Sequence, residues 1–377
     1  MSGQSVPYQL RPNKFVERQL FLDVLDCVRV WNGPSRYVYV SMGGRFLEDF
    51  KLINDRFAIE QMISIEIDVT TWKRAAFNRL GFIDCRRESS GEFVEKFEGM
   101  LSVQGDRRLI VWLDYADANR RGEQLGEFRQ LVSKMGSGDV AKITLNANPQ
   151  SYRRRATALT RRDFETYLKD PESPTHKDFD TYLSSLLAFP AGVPNGQDRI
   201  LTLTDSEYET ICIGNLKEQL GEYLAVGEVT PDQLATDSFA TLLLQSVKMA
   251  ALKGVAGTKL HVLPLAAYRY RDSEHQMLTS TCILADDELV TKIHGDGVFG
   301  EWPFRSTDWK TVLEVSVPDI SVKERHLLEG LISSDLDAAA IHTKMPFRFA
   351  AKDSVSIALL DAYLRHYRRY PSFVHVR

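Results

Sequence analysis

The run VWLDYAD closes an apolar, β-type segment with Asp114, Tyr115 and Asp117, side chains that can accept or relay a proton. Three other short apolar runs reach polar groups in the same way. RYVYVS passes through Ser41 and Met42 into Gly43 and Gly44, QMISIEID ends in Glu66 and Asp68, and GFIDCR carries Asp84. Glycine lets a backbone turn with positive φ and come close to a ligand with no Cβ between them. Carboxylates at a strand end can accept hydrogen bonds from the hydroxyls of a ribose. Ser41, Gly43, Gly44, Glu66, Asp68 and Asp84 are therefore the candidate cofactor contacts, and Asp114, Tyr115 and Asp117 the candidate catalytic groups. Plainer roles exist for each. A Gly-Gly pair suits any tight strand-to-helix turn, Glu66 or Asp68 can cap a helix opening at Thr70, and Asp114 or Asp117 can cap the helix after them.

These residues meet only if their segments lie side by side. From Arg36 to about Pro149 the apolar period switches repeatedly between 2 and 3.6. RYVYVS, QMISIEID, GFIDCR, RRLIVWLD and DVAKITLNA read as strands. The stretches between them, such as RFLEDFKLINDRFA with Phe46, Phe50, Ile53 and Phe57 on one face, read as helices. Five strands alternating with four helices specify an α/β fold, a doubly wound and mostly parallel sheet covered on both faces. In such a sheet ligands bind beyond the carboxyl ends of the strands, where the strand order reverses. The remaining chain divides into an N-terminal helical segment (1–35) with its cap at Asn13 or its start at Pro12, a helical stretch (150–257), a β-hairpin turning near Asp272 and Ser273 (258–285), and a mixed, largely helical extension (286–377). Capping boxes are expected at Thr230 with Gln233 and at Ser321 with Glu324.

Composition narrows the function. The 377 residues are 44% hydrophobic and 26% charged with net charge −4, so the chain can bury a large core and carries no global positive field for nucleic acid or membranes. Cys27, Cys85, Cys212 and Cys282 are scattered singly, which argues against a zinc knuckle or disulfide framework and fits a reducing cytoplasm. No apolar leader or spanning segment is present in the sequence, and the expected location is cytoplasmic. The stretch GDGVFG (295–300) spells a dinucleotide pattern but lies outside any strand-turn-helix frame, and a glycine-rich surface loop is expected there. No P-loop, nucleophile elbow or histidine pair at metal-ligand spacing occurs.

The four strand ends together resemble the class I S-adenosylmethionine-dependent methyltransferases. YVSMGGRF stands at that family's glycine-rich first motif, SIEID at its acidic second strand, GFIDCR at the third and VWLDYAD at the fourth-strand motif beside the substrate. Among such proteins, the O-methyltransferases described as three-Cys-motif partners are similar in layout. The resemblance implies a Rossmann-like core (36–149), a helical insertion (150–257) before a hairpin that closes the sheet (258–285), S-adenosylmethionine as cofactor and an unidentified methyl acceptor. DYAD replaces the D-P-P-Y or N-P-P-Y of amino-group methyltransferases, which turns the expectation toward an acceptor oxygen.

Two basic segments with interleaved tyrosines remain, YRRRATALTRR with Arg153, Arg154 and Arg155, and the C-terminal YLRHYRRYPSFVHVR with Arg368 and Arg369. Arginines beside aromatic rings can neutralise phosphates and stack on bases, so these five are candidate nucleic-acid contacts. They equally suit a solvated helix face. The alternative to an enzyme is a catalytically silent Rossmann-like subunit or nucleic-acid-binding partner in a multi-protein system, and fold alone does not separate the two.

Overall fold

A computed structural model describes residues 10–33, 37–104, 107–149, 205–225, 229–273, 275–332 and 336–372. The chain forms two compact units, Met1–Ala147 with Ala240–Arg377, and Asn148–Phe239. The second unit contains helix α6 (Asp205–Leu220), which buries Cys212 and Leu216, and a 3-10 turn at Pro231–Leu234. The Thr230–Gln233 capping box expected from the sequence opens that turn, with Gln233 Oε1 accepting the Thr230 N–H at 3.0 Å, and the next α-helix starts at Thr236.

The first unit is built on an eight-stranded sheet. Its strands are β1 (Tyr37–Ser41), β2 (Gln61–Ile65), β3 (Ile83–Arg86), β4 (Arg108–Asp114), β5 (Val140–Asn146), β6 (His261–Asp272), β7 (His275–Ala285) and β8 (Leu313–Val315), in the order β3-β2-β1-β4-β5-β7-β6-β8. β1 to β5 are parallel, β7 runs antiparallel to β5 along Val140–Asn146, and β6 pairs antiparallel with β7. The chain moves outward from β1 to β3 and then returns to β4, so the strand order reverses between β1 and β4, where a ligand crevice is expected. Near-continuous apolar runs suit strands covered on both faces: Leu109 to Leu113 of β4 are all buried.

The helices are α1 (Pro12–Asn32), α2 (Glu48–Phe57), α3 (Val69–Asn78), α4 (Ser90–Gln104), α5 (Arg121–Val132), α7 (Thr236–Gly254), α8 (Asp287–His294), α9 (Gly297–Glu301), α10 (Val322–Ile332), α11 (Ala338–Lys344) and α12 (Asp353–His366). Pro12 occupies the first turn of α1, where its missing N–H costs nothing. Asn13 is not the cap; its Oδ1 accepts the Val317 N–H at 2.7 Å and ties the helix to the C-terminal chain. α1 buries Val16, Leu20, Phe21, Val24, Leu25 and Val28, and Phe21 meets Trp112 of β4 edge-on at 5.4 Å. Because strand side chains alternate in direction, Ile110 and Trp112 join the α1 cluster while Leu109, Val111 and Leu113 face the other side of the sheet. Leu328, Ile341, Leu360 and Tyr363 complete the cluster, so the chain beyond the hairpin shares this core.

Two local readings change. Phe46 lies in the turn before α2 and not on it, since Leu47 adopts a left-handed φ of 54° and the helix begins at Glu48. GDGVFG is no surface loop: Asp296 accepts the Val298 and Phe299 N–H groups and starts α9, and its carboxylate also holds Trp31 Nε1 at 2.6 Å. The Ser321–Glu324 capping box is present as expected.

Candidate active site

A cleft of about 400 Å³ opens at the carboxyl edge of the strands, over the reversal point. Its lining comes from every successive connection. Met42–Phe46 follow β1 and Glu48 opens α2, Ile65 ends β2 with Glu66 and Ile67 after it, Glu88–Ser90 follow β3, and Asp114 ends β4 with Tyr115–Asp117 after it. Arg120, Glu123, Gln124 and Glu127 come from α5 and the residue before it, Arg11 and Lys14 from the start of α1, and Asp272, His275 and Met277 from the hairpin.

The glycine turn has two distinct local requirements. At Gly43 an added Cβ would lie 2.5 Å from Leu47 Cδ2, 2.6 Å from Ser64 Oγ and 2.7 Å from Phe50 Cε2, so the backbone there packs onto α2 and β2. At Gly44 nothing lies within 4 Å of the Cβ position, but φ is +54°, the left-handed region that strains a β-branched residue. Gly43 is thus a close approach and Gly44 a conformational need, and both border the cleft. Ser41, one of the expected contacts, is buried in β1 beneath the turn and does not line the cleft.

Of the expected carboxylates, the structure brings Glu66, Asp114 and Asp117 to the cleft and leaves two outside. Glu66 Oε1 accepts the Asp68 N–H at 3.0 Å, and burial raises its carboxyl pKa. Asp68 caps α3: its Oδ1 accepts the Thr71 N–H at 2.7 Å, and that bond holds its pKa down. Asp84 sits inside β3, paired with Ile63 of β2, exposed and bridged to Arg86 at 2.7 Å. β3 runs on to Arg86, so the residue that reaches the cleft beyond it is Glu88. The sequence signal for Asp84 fails because a four-residue edge strand fixes its own end poorly by pattern alone.

Asp114 is held ionised. Burial alone would raise its pKa, but Lys14 and Arg18 outweigh it, with Arg18 Nη2 at 3.1 Å and Lys14 Nζ at 3.9 Å, and the pKa falls. Tyr115 goes the other way. Burial and the Glu127 carboxylate, to which its hydroxyl donates, push its pKa well above the usual phenol value. Asp117 Oδ1 accepts the Asn119 N–H at 2.8 Å and shapes its own turn, while its carbonyl accepts from Gln124 Nε2 at 2.8 Å.

Beneath the cleft lies an ionic cluster that the strand-end pattern does not reveal. Glu17, Arg18, Asp49 and Lys142 are all buried. Arg18 donates to Glu17 at 2.7 Å, Asp49 at 3.2 Å and the Tyr270 hydroxyl at 3.0 Å, and Lys142 pairs with Glu17. Lys142 Nζ also stands 3.8 Å from the Trp112 ring centre and 4.0 Å from that of Phe21. Burial, opposed by Glu17, lowers the Lys142 pKa to about 8. The available signal was Glu17 and Arg18 adjacent on a helix whose neighbours Val16, Leu20 and Phe21 mark the buried side.

Arg153, Arg154 and Arg155 lie outside the described residues. Arg369 binds Asp23 at 2.6 Å and packs on the Phe304 ring, an internal contact, whereas Arg368 is exposed and lies against the adjacent Tyr367. Among the described residues no group of His, Cys, Asp and Glu is arranged to hold a metal, and no helix is long and apolar enough to cross a membrane.

A family model described as "Putative O-methyltransferase" matches residues 6–377. The chain belongs to this O-methyltransferase family. The matched range takes in α1, the sheet, the hairpin and the C-terminal chain together. A comparison with curated proteins found no match. Among solved structures, similar folds include a SAM-dependent methyltransferase from Anabaena variabilis (10% identity, 72% of this chain and 86% of that one, TM-score 0.30). The plantazolicin methyltransferase BpumL bound to SAH (11% identity, 72% and 85%, TM-score 0.29) is another. The sugar N-methyltransferase KedS8 from Streptoalloteichus is matched at 14% identity over 32% of this chain and 44% of that one, with a TM-score of 0.23. The chain spans 66% and 52% of two further neighbours, a fibrillarin/Nop5p complex and Streptomyces venezuelae DesVI. At these scores the likenesses decide nothing about this chain's chemistry.

Proposed function

We propose that the protein is an S-adenosylmethionine-dependent O-methyltransferase that binds its methyl donor in the carboxyl-edge cleft. The observation that carries this reading is the family match across residues 6–377. The cleft fits the donor in three respects. Gly43 and Gly44 bring bare backbone to its floor, Glu66 offers a carboxylate oxygen for ribose hydroxyls, and Glu88 Oε1 and Gln124 Oε1 are buried acceptors without hydrogen-bond partners. S-adenosylmethionine supplies an electrophilic methyl group on a sulfonium.

What the chain's own residues contribute is mainly position. Asp114, kept as an anion by Lys14 and Arg18, accepts a hydrogen bond from an acceptor hydroxyl and orients its lone pair. Its lowered pKa makes it a weak base and Tyr115 stays protonated, so the hydroxyl proton leaves only as the new C–O bond forms and the C–S bond breaks, along the hydrogen bond to Asp114 and on to water in the open cleft. Tyr115 with Glu127 braces the wall of the cleft on the α5 side. The acceptor is a small molecule or exposed group with a hydroxyl, and the free cysteines suit a reducing, cytoplasmic setting. Calorimetric titration of the wild-type protein with S-adenosylmethionine tests the proposal. Saturable binding lost in Glu66→Ala supports it, and the absence of any binding heat at millimolar donor returns the chain to the silent-scaffold reading.

A further inference from the structure

At the edge of the sheet away from the cleft, a cavity of about 260 Å³ opens among α1, the first residues of β1 and β2, and the end of α2. Its floor is apolar: Leu25 and Val28 of α1, Ile59 before β2 and Ile110 of β4 are all buried. The half-buried rings of Tyr37 and Phe57 also line it. Two guanidiniums complete the lining. Arg29 is exposed, with its guanidinium carbon 5.4 Å from the Phe57 ring centre, and Arg107 is half-buried and donates to Gln61 Oε1. Neither arginine forms an ion pair among the described residues. Asp26, one turn before Arg29 on α1, is already bound by Arg56 of α2 at 2.7 Å. Among the described lining residues Glu60 is the one carboxylate, so two cations stand against one anion.

We infer that this cavity is a second ligand site, separate from the cleft, and that it takes a small aromatic carboxylate. The ring of such a ligand displaces water from the apolar floor. A cavity of about 150 Å³ lined by side chains of this kind already admits benzene, so the larger volume here has room for a fused bicyclic ring. The carboxylate meets arginine, whose planar fork matches two oxygens and whose flat face stacks on rings. A single negative charge suits a lining with one uncompensated cation. The site can fill while the cleft is occupied. Helix α2 places Glu48 in the cleft at its first residue and Phe57 in the cavity at its last, with about 14 Å of helix between them. Strand β1 likewise starts at Tyr37 in the cavity and leads into Met42–Gly44 of the cleft. The inference does not depend on the methyltransferase reading.

Calorimetry on the full chain with naphthoate and its neutral counterpart naphthamide tests it. Saturable binding of naphthoate is expected, about tenfold tighter than the amide at low ionic strength, with the gap narrowing in high salt. Arg107→Gln and Arg29→Gln should each weaken naphthoate by about threefold and leave the amide unchanged. Thermal melting checks the fold of both variants. Arg29 is exposed and holds no carboxylate, so its variant reports on binding even if Arg107→Gln melts early. No saturable binding at millimolar naphthoate, equal affinity for acid and amide, or affinities indifferent to the arginine substitutions overturns the inference. Each of these results leaves the methyltransferase reading untouched.

Discussion

The buried cluster under the cleft and the cleft itself use the same residue types to opposite ends. Below, Glu17, Arg18, Asp49 and Lys142 are sealed from water and each charge faces an opposite one within hydrogen-bond reach. Above, carboxylates outnumber cations two to one, and two buried oxygens lack partners. Burying an unpaired ion is expensive, so each ion of the lower cluster needs its partner, and the set fixes α1 against α2 and β5 while Arg18 also reaches up to Asp114 at the end of β4. The upper set is open, which is the usual condition of a site that a ligand completes. The contrast separates groups whose loss should harm the fold from groups whose loss should harm binding.

The largest effect is expected at Arg18. Arg18→Met leaves Glu17 and Asp49 without their shared partner, and urea unfolding should show a loss of about 3–5 kcal/mol. A loss below about 1 kcal/mol would mean that water reaches the cluster and that the contrast is false. Gly43→Ala comes next, since its Cβ meets Leu47, Ser64 and Phe50 at 2.5–2.7 Å. Overpacking of that kind costs about 1–3 kcal/mol by the same measurement. Gly44→Val should cost about 1–2 kcal/mol through φ alone, with no clash to relieve, and should also weaken donor binding.

Lys142 gives a pH signature specific to the lower cluster. Its native pKa is about 8 against 10.5 for the free side chain, so between those values the unfolded chain holds the extra proton. Stability from this group is complete above pH 10.5 and is lost as pH falls toward 8. Denaturant midpoints of the wild type should therefore rise relative to Lys142→Met across that window, and parallel curves would contradict the assignment. The smallest effect is expected at Glu88: Glu88→Gln should change stability by no more than about 0.5 kcal/mol, or raise it, while altering ligand affinity.

Much of the first unit was legible because parallel strands buried on both faces leave short apolar runs separated by amphipathic ones, and that pattern located β1 to β5 and the hairpin. The glycine turn and Asp114 followed from the place where those runs end. Asp84 falls short of the cleft because pattern does not mark the last residue of an edge strand, and at Asp68 the helix-cap alternative read from the sequence is the one the structure displays, since a cap and a ribose contact call for the same residue at the same place. The contributions of α1 were hidden for a different reason. Arg11, Lys14 and Arg18 reach Asp272, Asp114 and Asp49 across long stretches of sequence, and only the packing of α1 on the sheet brings them together. The Gly295–Gly300 motif became a capped helix because Asp296 supplies the acceptor for two free N–H groups.

If the methyl donor binds in the open, carboxylate-rich cleft, its position there can be seen. A crystal structure of the protein soaked with S-adenosylmethionine or sinefungin tests it most directly. Ligand density is expected against the Met42–Gly44 backbone, with ribose oxygens within hydrogen-bond reach of Glu66 and donor groups on Glu88 Oε1 or Gln124 Oε1. Density at the opposite edge of the sheet instead, in the cavity of about 260 Å³ lined by Arg29, Phe57 and Arg107, would contradict it.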